Sequence, residues 1–177
     1  WARLLRWDKP SGRVILLIPA CWALWLTPSS PPDPNLVFLI LIGGLSISAA
    51  GCIANDLWDR NFDKKVARTR ERPLAKGSIR ISTAFILLAF TLGISLFAVL
   101  LLPSPARSLS IKLSVAALIP ILIYPTSKRW FAYPQVVLAF CWGFAVLIPW
   151  AASESSLTFT MPLIGCWLGT IFWTFAF

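Results

Sequence analysis

The chain alternates between long apolar runs and short polar stretches. A helix needs about 20 mostly apolar residues to cross a bilayer, and six runs approach or reach that length. They are residues 14–28, 36–54, 81–102, 109–125 and 134–152, and a run that begins near residue 159. The first run is expected to begin upstream of Gly12, and Pro120 breaks the fourth. The pattern predicts an all-α fold, a polytopic bundle of transmembrane helices.

The polar stretches between the runs differ in charge. Most of the 16 lysine and arginine residues lie before the first run, between the second and third runs, and between the fourth and fifth. Loops with many basic residues stay on the cytoplasmic side of a membrane. These three segments are therefore predicted to share that side, which would be the matrix side in an organelle.

Composition supports this interpretation and excludes other classes of protein. Hydrophobic residues make up 58% of the chain and charged residues 13%, whereas soluble domains carry about 25% charged residues. There is no histidine, and the four cysteines lie in apolar runs without a CxxC pair, which argues against a zinc site. The net charge of +9 follows the loops and does not predict a nucleic-acid surface.

The polar stretch after the second run contains the strongest chemical signal. Its first nine residues hold three of the seven acidic residues of the chain. If the second helix continues through this stretch, Asn55, Asp56, Asp59 and Asp63 share an arc of about 100°. Carboxylates this close repel one another unless a cation bridges them, and oxygen ligands suit Mg²⁺ shared with phosphate oxygens. These four residues are therefore candidate metal ligands.

Two arginines follow the acidic residues. Arg68 and Arg72 lie four positions apart, and guanidinium groups bind phosphate oxygens through paired hydrogen bonds. Metal ligands followed by these arginines predict a clamp for a diphosphate. The alternative is a solvated loop with incidental acids, which explains the basic residues but not the alignment of the aspartates.

Two further polar segments lie at predicted helix ends. Tyr124, Lys128 and Arg129 close the fourth run, and Lys9 precedes the first. Lysine and arginine also anchor helix ends at membrane surfaces, and the proline beside Tyr124 is expected to end the helix. The pattern alone leaves the roles of both segments open.

These motifs resemble those of the UbiA superfamily of intramembrane prenyltransferases. The first Asp-rich motif of that family, N-D-x-x-D-x-x-x-D followed by R-T-x-x-R-P-L, is present in full at residues 55–74. The segments D-K-P-x-G at residues 8–12 and Y-P-x-x-K-R at residues 124–129 resemble the 4-hydroxybenzoate polyprenyltransferase branch. The resemblance covers the whole chain.

The resemblance implies a Mg²⁺-dependent enzyme of ubiquinone biosynthesis in a bacterial or organellar inner membrane. It would transfer a polyprenyl group from a polyprenyl diphosphate to a small aromatic acid, with 4-hydroxybenzoate as the expected acceptor. The implied metal residues are the four oxygen-bearing residues of the motif, Asn55, Asp56, Asp59 and Asp63. Asn55 and Asp59 would hold one Mg²⁺, with Asp56 and Asp63 as its nearby partners. No nucleic-acid partner is expected.

The resemblance also implies roles for the remaining candidate residues. Those expected to bind substrate are basic: Lys9, Arg68, Arg72, Lys128 and Arg129. Asp59, Asp63 and Tyr124 are the expected catalytic residues, and the ring of Tyr124 would stabilise the allylic cation. Whether Lys128 and Arg129 bind the diphosphate or the carboxylate of the acceptor stays open.

The family has nine transmembrane helices and a second Asp-rich motif after the sixth. Residues 1–177 are therefore expected to form a partial prenyltransferase domain with about six of the nine helices, without the second motif and inactive alone. One alternative is another acceptor: homogentisate, naphthoate, chlorophyllide or haem. Another is a transporter, which would place charged groups at mid-span, where this chain has almost none.

Overall fold

The computed structural model describes residues 4–7 and 11–176, so Lys9 lies outside the described residues. Within them the chain folds into six α-helices, and the predicted all-α bundle is confirmed. The helices are α1 (Ser11–Leu26), α2 (Pro34–Asp63), α3 (Ile81–Leu100), α4 (Ser104–Trp130), α5 (Pro134–Glu154) and α6 (Met161–Ala176).

The helices have the length and the surface of membrane-spanning segments. In the described part of the chain, α2, α3, α4 and α5 are long and apolar enough to cross a bilayer, while α1 and α6 are apolar but shorter. Large apolar side chains stay exposed on the outside of the bundle, as Phe85, Phe90 and Phe97 do on α3. Apolar surface this extensive is typical of helices that face lipid or further membrane helices.

Helix α2 is longer than a membrane crossing requires. It begins after Asp33, whose carboxylate accepts hydrogen bonds from the backbone N–H groups of Asn35 and Leu36 and so caps the helix. At 1.5 Å per residue its 30 residues make a helix about 45 Å long, against about 30 Å for the hydrocarbon core. The Asp-rich motif therefore lies on the part of α2 that extends beyond the apolar run.

Helix α4 differs from the prediction. The sequence predicted a break at Pro120 and an end at Pro125, but the helix continues through both and ends at Trp130. In soluble proteins a proline inside a helix is strongly destabilising, whereas membrane helices tolerate it because neighbouring helices support the backbone. Helix α4 packs along α5 over much of its length. The last turn of α4 therefore reaches the end of α2.

Small residues allow the helices to approach closely at two positions. A Cβ added to Gly143 on α5 would lie 2.7 Å from Trp167 Nε1 on α6, and one added to Gly44 on α2 would lie 2.9 Å from Leu17 Cδ2 on α1. Both distances are shorter than real Cβ contacts allow. Small residues at such positions are the usual means by which membrane helices come into close contact.

The residues that precede α1 also pack against the bundle. Leu4 is fully buried in a cluster with Ile53 of α2, Leu74 of the α2–α3 loop and Ala84 of α3. We call this end of the bundle, where α2 and α4 finish and the α2–α3 loop lies, the polar end. The turn at residues 4–7 docks there.

Candidate functional site

The Asp-rich motif lies on a continuous helix, as predicted. Helix α2 ends at Asp63, and side chains four positions apart share a face. The four oxygen-bearing side chains of the motif nevertheless do not form one cluster. Among the described residues, no three Asp, Glu, Cys or His side chains lie close enough together to hold a metal ion. They form two pairs, and each pair has its own cationic partners.

The first pair, Asn55 and Asp59, contacts the last turn of α4. Lys128 Nζ donates a hydrogen bond to Asn55 Oδ1 at 3.0 Å and lies 3.6 Å from Asp59 Oδ2. Arg129 Nη2 donates to Asp59 Oδ1 at 3.2 Å. The continuation of α4 past its prolines thus brings two cations to this edge of the motif.

Aromatic rings flank both cations. The ammonium group of Lys128 lies 4.7 Å from the centre of the Tyr124 ring, and the guanidinium carbon of Arg129 lies 4.0 Å from the centre of the Phe62 ring. Both distances are within the range of cation–π attraction. Tyr124, a predicted site residue, therefore lies beside Lys128. Sequence reasoning missed Phe62, although its spacing of three from Asp59 places both on one helix face.

The geometry of the first pair fits Mg²⁺. Asn55 Oδ1 and Asp59 Oδ2 converge on a single cationic group, the ammonium of Lys128. Mg²⁺ in proteins commonly takes one or two carboxylates, with water and phosphate oxygens completing its coordination. One amide oxygen and one carboxylate, with water and phosphate oxygens in the remaining positions, therefore suit a Mg²⁺ site.

The second pair, Asp56 and Asp63, binds arginines. Asp56 is 2% exposed, and its Oδ1 accepts hydrogen bonds from Arg6 Nη2 at 2.9 Å and Arg72 Nη1 at 3.2 Å. Arg72 Nη1 also donates to Asp63 Oδ2 at 2.9 Å. Buried charges need paired and hydrogen-bonded partners, and this network supplies them. Metal ligation by Asp56 and Asp63 stays a prediction.

The two arginines of the predicted clamp have different surroundings. Arg72 is half-buried against the aspartates, whereas Arg68 is exposed and forms no hydrogen bond or ion pair with other described residues. The loop that carries them is held at Thr69, whose hydroxyl donates to the backbone oxygen of Asp63 at 3.2 Å. The structure therefore brings Arg72 to the motif and leaves Arg68 in contact with solvent.

Comparison with known proteins decides the family. The family model described as the UbiA prenyltransferase family matches residues 16–177. The chain belongs to the UbiA prenyltransferase family. The resemblance drawn from the Asp-rich motif is thereby confirmed.

Curated members of the UbiA family include relatives at about 40% identity. A 4-hydroxybenzoate solanesyltransferase from Synechocystis sp. is 43% identical over 177 residues, which cover 98% of this chain and 58% of the relative. A 4-hydroxybenzoate octaprenyltransferase from Nitrosomonas eutropha is 41% identical over 180 residues, which cover 100% of this chain and 60% of the relative. The chain thus spans about three fifths of the length of the curated relatives it matches.

Solved structures of UbiA-type proteins share the fold. A digeranylgeranylglyceryl phosphate synthase superposes with a TM-score of 0.78 at 18% identity, covering 98% of this chain and 58% of that protein. A UbiA homolog from Archaeoglobus fulgidus, solved with GPP and Mg²⁺, superposes with a TM-score of 0.72 at 19% identity, covering 98% of this chain and 59% of that protein. These structures confirm the transmembrane bundle.

Proposed function

We propose that this protein transfers a polyprenyl group from a polyprenyl diphosphate to 4-hydroxybenzoate. The observation that carries the proposal is the meeting of Asn55 and Asp59 with Lys128 and Arg129 at the polar end of an apolar bundle. This end of the bundle therefore combines three things that the reaction needs. They are oxygen donors for a metal, cations for a diphosphate and apolar helices for a prenyl chain. The two 4-hydroxybenzoate polyprenyltransferases at 43% and 41% identity support the acceptor.

Asn55 and Asp59 are the residues that would hold Mg²⁺. When bound there, the ion would supply Lewis-acid chemistry that makes the diphosphate a better leaving group. The remaining steps belong to side chains of this chain. Lys128 contacts both oxygen donors, so it lies where the diphosphate would meet the metal ligands, and we assign it to the phosphate oxygens. Exchange of a carboxylate partner for a phosphate keeps its hydrogen bonds charge-assisted.

The charges around Asp59 favour an anionic ligand. One carboxylate, that of Asp59, contacts two cations, Lys128 and Arg129. The excess positive charge attracts a diphosphate to the polar end of the bundle, because fields from clustered charges raise the local concentration of counter-ions. The prenyl chain, which is too apolar for water, would remain among the helices.

Arg129 suits the carboxylate of the acceptor. A guanidinium has five N–H donors, and Arg129 uses Nη2 for Asp59 while Phe62 covers one face of its plane. The open donors of a flat, stacked guanidinium match a carboxylate. An acceptor held there would present its ring carbon, ortho to the phenol, to the allylic cation. The proton displaced from that carbon would pass to the released diphosphate or to water. The ring of Tyr124, beside Lys128, would stabilise that cation.

The orientation of the site is part of the proposal. The polar end carries the basic α2–α3 loop, with Lys64, Lys65, Arg68 and Arg70 all exposed. Basic loops stay on the cytoplasmic side, so we infer that the site faces the cytoplasm, or the matrix in an organelle.

Transfer of labelled 4-hydroxybenzoate into a lipid-extractable product tests the function. Membranes that contain the full-length protein should form this product with a polyprenyl diphosphate and Mg²⁺, and chelation should stop it. Asp59→Asn should lower the rate by about 100-fold, since it weakens the metal site.

Glu71→Gln is the matched control, because this carboxylate is exposed on the adjacent loop and pairs with Lys76. Its rate should stay within about twofold of the unchanged protein, as surface pairs contribute little. Product formation that survives both chelation and Asp59→Asn would overturn the proposal. Ion or solute flux in vesicles, without any transfer, would favour the transporter instead.

A further inference from the structure

The turn at residues 4–7 holds the Asp-rich motif through two contacts of different kinds. Leu4 is fully buried against Ile53, Leu74 and Ala84, and Arg6 donates to the buried carboxylate of Asp56 at 2.9 Å. The turn therefore has an apolar anchor and an ionic anchor. Both lie on the unit formed by α2, α3 and the loop between them.

The backbone of Arg6 indicates that its position is fixed by these contacts. Its φ of 54° lies in the left-handed region, which is uncommon for residues other than glycine. Residues persist in such conformations when the surrounding structure determines them. Two contacts hold Arg6 in this conformation: the burial of Leu4 two residues earlier and the ion pair of Arg6 with Asp56.

Arg6 and Arg72 share a single acceptor atom, Asp56 Oδ1. A carboxylate as buried as Asp56 must keep at least one cation, because loss of its partner leaves an uncompensated charge. While Arg6 stays bound, Arg72 is free to leave Asp56 without that penalty. Arg72 can also keep its bond to Asp63, since a guanidinium has five N–H donors and the described contacts use one nitrogen, Nη1.

Arg72 binds the part of the motif that adjoins the proposed diphosphate site on the same helix. Its partner Asp56 is the neighbour of Asn55 in sequence and lies three positions before Asp59. A guanidinium that releases Asp56 would move across the motif towards a phosphate bound at Asn55 and Asp59.

We propose that Arg6 is a positioning residue for the prenyl donor. As the permanent counter-ion of Asp56, it allows Arg72 to exchange that carboxylate for a phosphate oxygen of the diphosphate. This inference rests on the proposed function and extends it to a residue outside the Asp-rich motif. It also explains why Arg72, a predicted diphosphate ligand, is bound to aspartates in this structure.

Ligand binding, measured apart from turnover, tests this role. The full-length protein in detergent with Mg²⁺ is titrated with geranyl S-thiolodiphosphate, an inert donor analogue, and separately with 4-hydroxybenzoate. Arg6→Gln should weaken binding of the analogue about tenfold, or ~1.4 kcal/mol, because Arg72 must then stay on Asp56. Binding of 4-hydroxybenzoate should change less than about twofold, and Arg6→Lys should retain most of the donor affinity.

Further variants separate this role from general stability. Arg70→Gln is the matched control, since Arg70 is an exposed arginine of the α2–α3 loop whose carboxylate partner, Glu71, is 4.0 Å away. In the Asp56→Asn background no buried carboxylate is left to compensate, so adding Arg6→Gln to that variant should weaken binding of the donor analogue by less than about twofold. If Arg6→Gln alone does not fold, the double variant should still fold, and its donor affinity is compared with that of Asp56→Asn.

Distinct results would overturn the inference and the function on which it rests. Unchanged donor binding in Arg6→Gln would overturn the role of Arg6, as would an equal loss for both ligands, or a loss of donor affinity that is just as large when Arg6→Gln is added to Asp56→Asn. Failure of the unchanged protein to bind the donor analogue would overturn the proposed function, and the role of Arg6 with it.

Discussion

Each cation that contacts Asn55 or Asp59 has both an oxygen partner and an aromatic partner. Arg129 pairs with Asp59 and stacks on Phe62, and Lys128 pairs with Asn55 and lies over Tyr124. The rings keep the cations in place when a ligand replaces the side-chain oxygen, because the cation–π attraction does not depend on that oxygen. Phe62 is therefore expected to act on substrate through Arg129.

The change Phe62→Leu should raise the KM for 4-hydroxybenzoate by about fivefold, because a cation–π contact at an exposed site is worth ~1 kcal/mol. The melting temperature should change little, since about half of the Phe62 side chain is exposed. Phe38→Leu is the control, as Phe38 is an exposed phenylalanine near the opposite end of α2. Transfer rates at varied acceptor concentration check this, and equal KM values for both variants would contradict it.

The sequence predicted which residues of α2 share a face, but not their partners. The spacing of Asn55, Asp56, Asp59 and Asp63 fixes an arc on any continuous helix, and that helix is present. The division of the arc into two pairs depends on cations that lie far away along the chain: Lys128 is 73 positions from Asn55, and Arg6 is 50 positions from Asp56. Periodicity along one helix holds no information about such contacts.

At the scale of whole helices, the length of α4 determines the site. Its last turn presents Lys128 and Arg129 to α2 only because the helix passes Pro120 and Pro125. The prediction that Pro125 ends the helix applied a rule drawn from soluble proteins, where proline removes one helical hydrogen bond and clashes with the preceding turn. Membrane helices tolerate proline better, because neighbouring helices and local adjustments satisfy the freed backbone groups. Helices α1, α3, α5 and α6 were predicted more closely, because an apolar run marks the segment that lipid and neighbouring helices surround. The second apolar run ended at residue 54, whereas α2 continues through the polar motif to Asp63.

Close packing of α5 on α6 predicts opposite effects for two identical substitutions. Gly143→Ala places a Cβ 2.7 Å from Trp167 Nε1, and overpacking of this kind costs about 1–3 kcal/mol. Its melting temperature in detergent should fall by several degrees. Gly165→Ala on α6 meets nothing within 4 Å and should raise the melting temperature slightly, because alanine favours helix more than glycine does. Thermal unfolding of both variants checks this, and a shift of the same sign and size would contradict it.

Across the whole molecule, charge is concentrated at one end of an apolar bundle. The α2–α3 loop and the last turn of α4 lie together there, while the loop between α5 and α6 lies at the other end. The charge pattern of the sequence predicted this separation, since it depends on which loops are basic and not on how helices pack. The arrangement of the helices around one another required the structure.

This arrangement predicts the accessibility of the two ends. In the full-length protein with every native cysteine replaced by serine, Lys65→Cys should react with a membrane-impermeant maleimide only after the cells are opened. Ser156→Cys, in the α5–α6 loop, should react on intact cells, because one side chain is exposed at each end of the bundle. Labelling of Lys65→Cys on intact cells would contradict the orientation.

The ammonium of Lys128, placed between Asn55 and Asp59, has a consequence for biogenesis. Small zinc domains cannot fold before their metal arrives, because their ligands repel or remain unsatisfied without it. Here an internal cation already satisfies those oxygens, so under the proposed function we expect the polypeptide to insert and fold without the ion. Magnesium would then be needed for the proposed transfer and not for assembly.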